Sequence, residues 1–350
     1  ARRNPGLFRH DVYQDGVDTH YVRRLRLPSV GLGLAAVLLT AVVAGLVSRD
    51  RWTPVVAAAI CALVPKFVFV SGTVNNDNLA NALGALVCVA AVYAATRPGP
   101  ARRPIAWSVL LGVLVGALVL TKLSALPLVA GVALATVFMV RNGRDGLGAL
   151  RLAGAFAANA AAALVVSGWW LVRNVDWYGD PFASDATHDH FVEVLPGLVV
   201  GAGASFDRAF VELPRELWRT FWYSSGWNQL RWDEWSYLPF WLLLAVALFG
   251  IARRSRSDPT DDEAQNVSRG LWVLGALALG AVASYWIIGF ETTGGEARVM
   301  FAGLPAIATL AALGLQRLRV PVLARFTLPA IGVAGVAVAL DNHLFGYYGG

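Results

Sequence analysis

The sequence has little charge for its length and almost no lysine, cysteine or methionine. Charged residues make up 15% of the 350 residues, whereas hydrophobic residues make up 57%. A typical soluble chain carries about 25% charged residues. A soluble fold of this size cannot bury so much apolar side chain, so the excess must face lipid. This composition excludes a soluble enzyme and a disordered chain.

Only two cysteines are present, which excludes a disulfide-stabilised scaffold. Cys61 and Cys88 both fall inside apolar runs, where a small buried side chain is more common than a disulfide partner or a metal ligand. His188, Asp189 and His190 could form half of a metal site, but no further ligand lies at suitable spacing, so we predict no metal site and no bound cofactor and leave a divalent metal ion as an open alternative. A glycine-rich phosphate loop and a serine nucleophile elbow are also absent.

Long apolar runs are what the sequence has instead. A hydrocarbon layer of about 30 Å requires about 20 apolar residues in a helix. The chain supplies this length repeatedly, which predicts an all-α polytopic membrane helical bundle with amphipathic helices on its outer side. The ten predicted spans are 27–47, 53–71, 78–96, 104–121, 123–140, 149–172, 235–252, 270–289, 299–316 and 322–340.

Arginine is distributed unevenly between the predicted loops. Fifteen arginines, from Arg49 to Arg325, fall in alternate loops, whereas the opposite short turns hold only Lys122 and Arg298. Short cytoplasmic loops retain positive charge, so the arginine-rich side is predicted to be cytoplasmic. The expected domains are an outer-loop tail at 1–26, a six-span bundle at 27–172, an outer-side loop at 173–234, a four-span bundle at 235–341 and a tail at 342–350.

Six arginines before the first span do not follow this pattern, because they lie on the predicted outer side. We expect a further span upstream of residue 1, with residues 1–26 forming the end of its outer loop. On this interpretation the chain is N-terminally incomplete.

The polar residues of the predicted outer side form a small set. Lys66 lies about one turn inside its span, and Asn75, Asn76 and Asp77 follow before the next helix. Asn75 or Asp77 could cap that helix. Lys122 occupies a short turn between two spans, and Arg298 opens another. Each cation could extend to the interface as an anchor, or bind a phosphate group.

The long outer segment begins at a second polar group. Arg173 and Asn174 end one span, and Gly179 and Pro181 indicate a tight turn that presents Asp180. Apolar positions then recur every three or four residues over 206–222, which predicts an amphipathic helix on the membrane surface. Pro214 lies inside this stretch and divides it into two shorter pieces.

Several of these stretches carry a family resemblance. They are Val64-Pro65-Lys66 through Asn75-Asn76-Asp77, Gly112 to Lys122, Trp170-Leu171-Val172-Arg173-Asn174 with Tyr178-Gly179-Asp180-Pro181, and Arg298-Val299-Met300-Phe301 with Leu304-Pro305-Ala306. Together they resemble the bacterial polytopic branch of the GT-C glycosyltransferases, related to protein O-mannosyltransferases and aminoarabinose transferases. Val299 stands where that group usually has tyrosine.

The resemblance implies a polyprenyl-phosphate sugar as donor and a reaction at the outer membrane surface. It also implies a catalytic acid in the first outer loop, whose distal end would include Asp11, Asp15 and Asp18. We expect the chain to lie in the bacterial plasma membrane with its active face outside the cytoplasm. Its expected partners are membrane lipid, the lipid-linked donor and a glycan, lipid or protein acceptor, with no role for nucleic acid.

Sugar transfer from a lipid phosphate requires cations for the departing phosphate and a carboxylate for the acceptor hydroxyl. Asp77 is the best candidate for the catalytic carboxylate, although a helix cap is an equally good interpretation. The phosphate-binding candidates are Lys122, Arg298 and Lys66. The substrate-binding candidates are Asn75, Asn76, Arg173, Asn174 and Asp180.

Two other functions remain open from the sequence. A transporter or flippase of a lipid-linked sugar or another anion would also place cations and amides near a membrane cavity. A catalytically silent relative would only bind a glycan or a partner. The transporter predicts polar residues at mid-span, where the main example is Asn159.

Overall fold

The computed structural model describes residues 19–142, 148–186, 189, 205–222, 224, 234–252, 262–291, 296–326, 330 and 334. Within these ranges the chain forms helices and turns and no β-strand. The predicted all-α class is therefore confirmed.

Twelve α-helices have defined bounds in the described residues. They are α1 Thr19–Val47, α2 Thr53–Ala62, α3 Pro65–Ser71, α4 Asp77–Thr96, α5 Pro98–Arg102, α6 Pro104–Thr121, α7 Val129–Arg141, α8 Gly148–Tyr178, α9 Leu213–Trp222, α10 Leu238–Ala252, α11 Asp262–Glu291 and α12 Leu304–Arg317. Three 3-10 helices occur at Leu123–Leu128, Glu234–Tyr237 and Ala297–Gly303, and a π-helix at Arg208–Glu212.

Seven of these helical segments are long and apolar enough to cross a membrane, and α2 with α3 makes an eighth if the bent pair is one span. They correspond to eight of the ten predicted spans. The predicted span 235–252 contains only a shorter apolar helix, Phe240–Ala252. The predicted span 322–340 lies mostly outside the described residues. The chain is thus a multi-pass membrane protein, and the described part accounts for seven or eight spans.

The predicted span 53–71 is broken. Helices α2 and α3 meet at an angle of 68°, with Pro65 at the first position of α3. Proline has no backbone N–H and its ring clashes with the preceding turn, so Pro65 favours a break in the helix at this position. The break places Lys66 in the first turn of the deflected helix α3.

Small residues allow the helices to approach closely. Gly112 and Gly116 on α6 face α8, where an added Cβ would overlap the backbone oxygens of Asn159 and Ala163. Helices in lipid associate through such contacts because no hydrophobic effect drives them together there. Helix α4 lies at the centre, against α1, α7, α11 and Ala297–Gly303, whereas α8 lies at the edge on α6 and α7.

The described parts of the arginine-rich loops lie at one end of the bundle. There the Asn142 side chain donates to the Ala95 carbonyl oxygen (3.1 Å), and the Ser48 hydroxyl donates to Gln316 (3.1 Å). Arg325 contacts Asp50 at 2.8 Å. Burial alone would raise the pKa of Asp50, but hydrogen bonds from Arg325, the Trp52 amide and Thr53 outweigh it and lower this pKa. We call this the arginine end.

Residues 206–222 differ from the predicted surface helix. Phe206 and Phe210 are exposed, but Trp218, Phe221 and Trp222 are buried. Trp218 stacks on Trp241, and Trp222 stacks on Phe240, both with ring centroids 3.9 Å apart. The C-terminal part of the stretch therefore packs on protein rather than on lipid. The predicted division at Pro214 is not found, because the stretch is helical without a break and only changes from the π-helix Arg208–Glu212 to α9 at Leu213.

Candidate functional site

Hydrogen bonds from asparagine side chains hold the turn between α3 and α4 in place. The Asn75 side-chain oxygen accepts from the Asn78 amide (3.3 Å), so Asn75 rather than Asp77 satisfies a backbone amide in the first turn of α4. The Asn76 side chain donates to the Thr121 carbonyl oxygen at the end of α6 (3.0 Å). This bond joins the beginning of α4 to the end of α6 and so brings Asp77 beside Lys122.

Asp77 lies between two of the predicted cations. Its Oδ1 atom contacts the Lys122 ammonium, and its Oδ2 atom lies 3.6 Å from Arg298 Nη1. The three residues come from the start of α4, the turn after α6 and the 3-10 helix Ala297–Gly303. The Asp77 side chain is only 4% exposed. A buried carboxylate in this position is stabilised by both cations.

Glu296 extends the same arrangement to the third cation. Its Oε2 atom lies 2.9 Å from Arg298 Nε and 3.3 Å from the Lys66 ammonium. Five side chains therefore alternate in sign in the order Lys122, Asp77, Arg298, Glu296, Lys66. We call this set the ion-pair chain. The structure thus brings together all three cations that the sequence singled out.

Access to the ion-pair chain is uneven. The side chain of Arg298 is 39% exposed and that of Lys122 is 19% exposed, compared with 3% for Lys66. The Lys66 ammonium also donates to the Ser224 carbonyl oxygen (2.7 Å) and hydroxyl oxygen (3.1 Å). An anion that arrives from outside therefore meets Arg298 and Lys122 first, while Lys66 is already surrounded by acceptors.

Aromatic rings lie beside the ion-pair chain. Phe301 contacts Phe67 and Phe221 edge to face, with ring centroids 5.9 and 5.6 Å apart. Phe67 follows Lys66 in sequence, and Phe301 follows Arg298 by three residues. Such a buried apolar surface excludes water and so strengthens the attraction between the charges.

The other predicted substrate-binding residues form a separate local group. The Arg173 guanidinium lies 3.9 Å from the ring centre of Trp177, and the buried Asn174 side chain donates to the Pro181 carbonyl oxygen (3.0 Å). Asp180 accepts from the Phe182 and Ser184 amides, and these hydrogen bonds lower its pKa. Gly179 has a φ of +75°, as a tight turn requires. The contacts described for these residues lie within 173–184, at the end of α8 and in the turn that follows it.

Sequence reasoning missed Glu296, Thr220 and Ser224. Glu296 precedes Arg298 by two residues, and an acidic residue in a turn that carries a candidate cation was the available signal. Thr220 and Ser224 gave no signal, because their roles depend on the packing of α9. Among the described residues, no three His, Cys, Asp or Glu side chains are placed to hold a metal ion. Asp11, Asp15 and Asp18 lie outside the described residues.

The fold and this group of charges define a polytopic helical membrane protein with three cations and two carboxylates paired at one end of its bundle. Residues 4–175, just under half of the chain, match the family model described as dolichyl-phosphate-mannose-protein mannosyltransferase. That part of the chain is thus similar to a family of GT-C type glycosyltransferases. No curated protein and no solved structure matches the chain.

The family match covers only part of the ion-pair chain. Residues 4–175 include Lys66, Asp77 and Lys122 and end before Glu296 and Arg298. The two remaining members come from a segment that the family comparison does not reach.

Proposed function

We propose that the protein is an integral-membrane glycosyltransferase that transfers a sugar from a polyprenyl-phosphate donor to an acceptor at the outer membrane face. The observation that carries this proposal is the ion-pair chain, in which three cations from distant segments meet at one end of the bundle. The family match supports the reaction class and the lipid-linked donor. The acceptor is a glycan, a lipid or a protein, and the membrane is the bacterial plasma membrane.

In this proposal Arg298 and Lys122 hold the donor phosphate. They are the most exposed cations of the ion-pair chain, and both already share one carboxylate, that of Asp77. When the bond between the sugar and the phosphate breaks, negative charge develops on the phosphate oxygen. Fixed cations in a partly dry site stabilise that charge without reorganisation. Lys66 supports them indirectly, through Glu296.

Asp77 serves in this proposal as the catalytic carboxylate once the donor is bound. In the structure its two oxygens are occupied by the Lys122 and Arg298 cations. A bound phosphate would compete for the same two cations. Asp77 would then be released to orient an acceptor hydroxyl and receive its proton.

The polar residues around this site take the supporting roles. Asn75 and Asn76 hold the turn that positions Asp77, and their amides are available to sugar hydroxyls when the turn opens. Arg173, Asn174 and Asp180 form the second polar turn, which we propose as an acceptor-side surface. We propose no cofactor for the reaction.

A transporter of a lipid-linked anion is the second candidate. Asn81 favours it, because this residue is buried one turn below Asp77 and its side-chain nitrogen has no hydrogen-bond partner. The charges of the site, by contrast, all lie in turns or at helix ends rather than at mid-span. This placement favours a reaction at the end of the bundle over transport of a lipid-linked anion through it.

The test is transfer of radiolabelled sugar from a polyprenyl-phosphate donor by the full chain in lipid nanodiscs. Lys122→Gln and Arg298→Gln each remove one phosphate ligand, and we expect each to lower the transfer rate by about 100-fold or more. The matched control is Arg102→Gln, which removes an exposed arginine at the arginine end.

The outcomes separate the two candidate functions. Transfer that depends on Lys122 and Arg298 but not on Arg102 supports the glycosyltransferase. Movement of the labelled lipid across proteoliposomes without any transfer would support the transporter and overturn the proposal. Equal loss of transfer in all three variants would also overturn the assigned phosphate site.

A further inference from the structure

Glu296 is the member of the ion-pair chain that has no direct role in the proposed reaction beyond linking Lys66 to Arg298. Its carboxylate contacts the Nε edge of the Arg298 guanidinium, while Asp77 contacts Nη1 of the same group. It also pairs with Lys66. Two carboxylates therefore face the cation most exposed to an entering anion, and Glu296 is the more exposed of the two, at 13% compared with 4% for Asp77.

A carboxylate in this position opposes every anion that binds at Arg298. Repulsion between charges a few ångströms apart is strong at a partly buried site and grows with the charge of the ligand. A phosphodiester carries one negative charge, whereas a phosphomonoester carries close to two above its second pKa of about 6. Glu296 therefore penalises the monoester more than the diester.

The two lipid species of the proposed reaction differ in this charge. The donor is a phosphodiester. When the bond from the sugar carbon to the phosphate oxygen breaks, its electron pair stays on that oxygen, and the acceptor oxygen bonds to the sugar and gives up its proton to the Asp77 carboxylate. The lipid that remains is a phosphomonoester, which the bare cations would hold more tightly than the donor.

We infer that Glu296 is a specificity-determining residue that sets the charge of the anion accepted by this site. It favours the singly charged lipid phosphodiester over the doubly charged lipid phosphomonoester, and so allows the product lipid to leave. This inference rests on the proposed anion site at Arg298 and Lys122, and it deepens that proposal by assigning the choice between the two lipids to one side chain.

Binding of two probe lipids tests the inference without any transfer. The probes are polyprenyl phosphate and its methyl ester, which keeps a single negative charge, and each is titrated at pH 8 against the full chain in nanodiscs. We expect the unaltered protein to bind the methyl ester at least as tightly as the monoester. Glu296→Gln should raise the affinity ratio of monoester to methyl ester about tenfold, because it removes one opposing charge.

Two further variants complete the design. Glu296→Asp keeps the negative charge and should give the same affinity ratio of monoester to methyl ester as the unaltered protein. Glu212→Gln removes a carboxylate whose side chain is 61% exposed and paired with Arg208, and it should leave the ratio unchanged.

Each contrary result has a distinct meaning. An unchanged ratio in Glu296→Gln, or an equal loss of both probes, overturns the inference, because Glu296 would then act only as a structural residue. A tenfold preference of the unaltered protein for the monoester also overturns it, without any need for a variant. If Lys122→Gln and Arg298→Gln leave the binding of both probes unchanged, the proposed phosphate site itself is wrong.

Discussion

Arg298 shows how much one side chain contributes to the site. Its guanidinium contacts Asp77 through Nη1 and Glu296 through Nε, so it joins the two halves of the ion-pair chain. A planar guanidinium with several fixed donors suits this task, whereas a lysine ammonium would offer a single point charge. The two lysines accordingly lie at the ends of the ion-pair chain and the arginine at its centre.

Gly84 determines whether Asp77 and Arg298 can meet at all. It lies two turns below Asp77 on α4, and an added Cβ would overlap the backbone of Ala302. We predict that Gly84→Ala forces α4 away from Ala297–Gly303 and lowers the free energy of unfolding by about 1–3 kcal/mol. Denaturant unfolding in detergent measures this change.

The control for Gly84 is Gly31→Ala on α1, where an added Cβ meets nothing within 4 Å. Alanine favours the helix over glycine by about 1 kcal/mol, so this variant should be as stable as the unaltered protein or more stable. Equal stability changes in the two variants would contradict the close-packing argument.

At the scale of elements, α9 holds the segment that carries Glu296 and Arg298. The Ala297 amide donates to the buried Thr220 hydroxyl (3.0 Å), and Lys66 donates to the Ser224 carbonyl oxygen (2.7 Å) just beyond α9. Before α9, Arg208 donates to the Gly289 carbonyl oxygen at the end of α11 (2.6 Å from Nη2). These bonds fasten the stretch from Arg208 to Ser224 across the ion-pair chain.

We predict that Thr220→Val weakens the site through the Ala297 amide. The buried N–H would lose its acceptor, which costs about 1–3 kcal/mol of unfolding free energy. Affinity for polyprenyl phosphate should fall as well, because Glu296 and Arg298 flank Ala297. Unfolding in detergent and lipid titration measure the two effects.

Thr220→Ser keeps the hydroxyl group and serves as the matched variant. It should retain most of the stability and the lipid affinity of the unaltered protein. If serine and valine at this position behave alike, the hydrogen bond to Ala297 does not hold the segment.

At the scale of the whole molecule, the charged groups divide between the two ends of the bundle. The arginine end contains the contact between Arg325 and Asp50, and the opposite end contains the ion-pair chain. Positive charge in short loops marks the cytoplasmic side. We therefore expect the ion-pair chain to face away from the cytoplasm.

Cysteine labelling in intact cells checks this orientation. Val74 lies beside the ion-pair chain and Gly99 lies in α5 near the arginine end, and both residues are exposed. Each is replaced by cysteine in a separate variant. A membrane-impermeant maleimide should label Val74→Cys in intact cells and Gly99→Cys only after permeabilisation. Cys61 and Cys88 are buried and should give no background. The reverse pattern would show that the assigned orientation is wrong.

Local sequence determined the helical class of this protein, most of its spans and the three cations of its site. Apolar runs of span length and isolated charges near their ends are visible without coordinates, because each depends on neighbouring residues alone. Pro65 indicates a break in the predicted span 53–71, but the angle of 68° between α2 and α3 is a property of the packed bundle.

The pairing of the charges was decided by the tertiary structure. Whether Lys66 meets solvent, a phosphate or Glu296 depends on how α3, α9 and Ala297–Gly303 pack, and these segments are far apart in the chain. The same holds for α9, whose amphipathic pattern suits a membrane surface and a protein surface equally well. A hydrophobic helix face needs an apolar neighbour and a lone buried charge needs a partner of opposite charge. Only the folded chain determines which residue provides either.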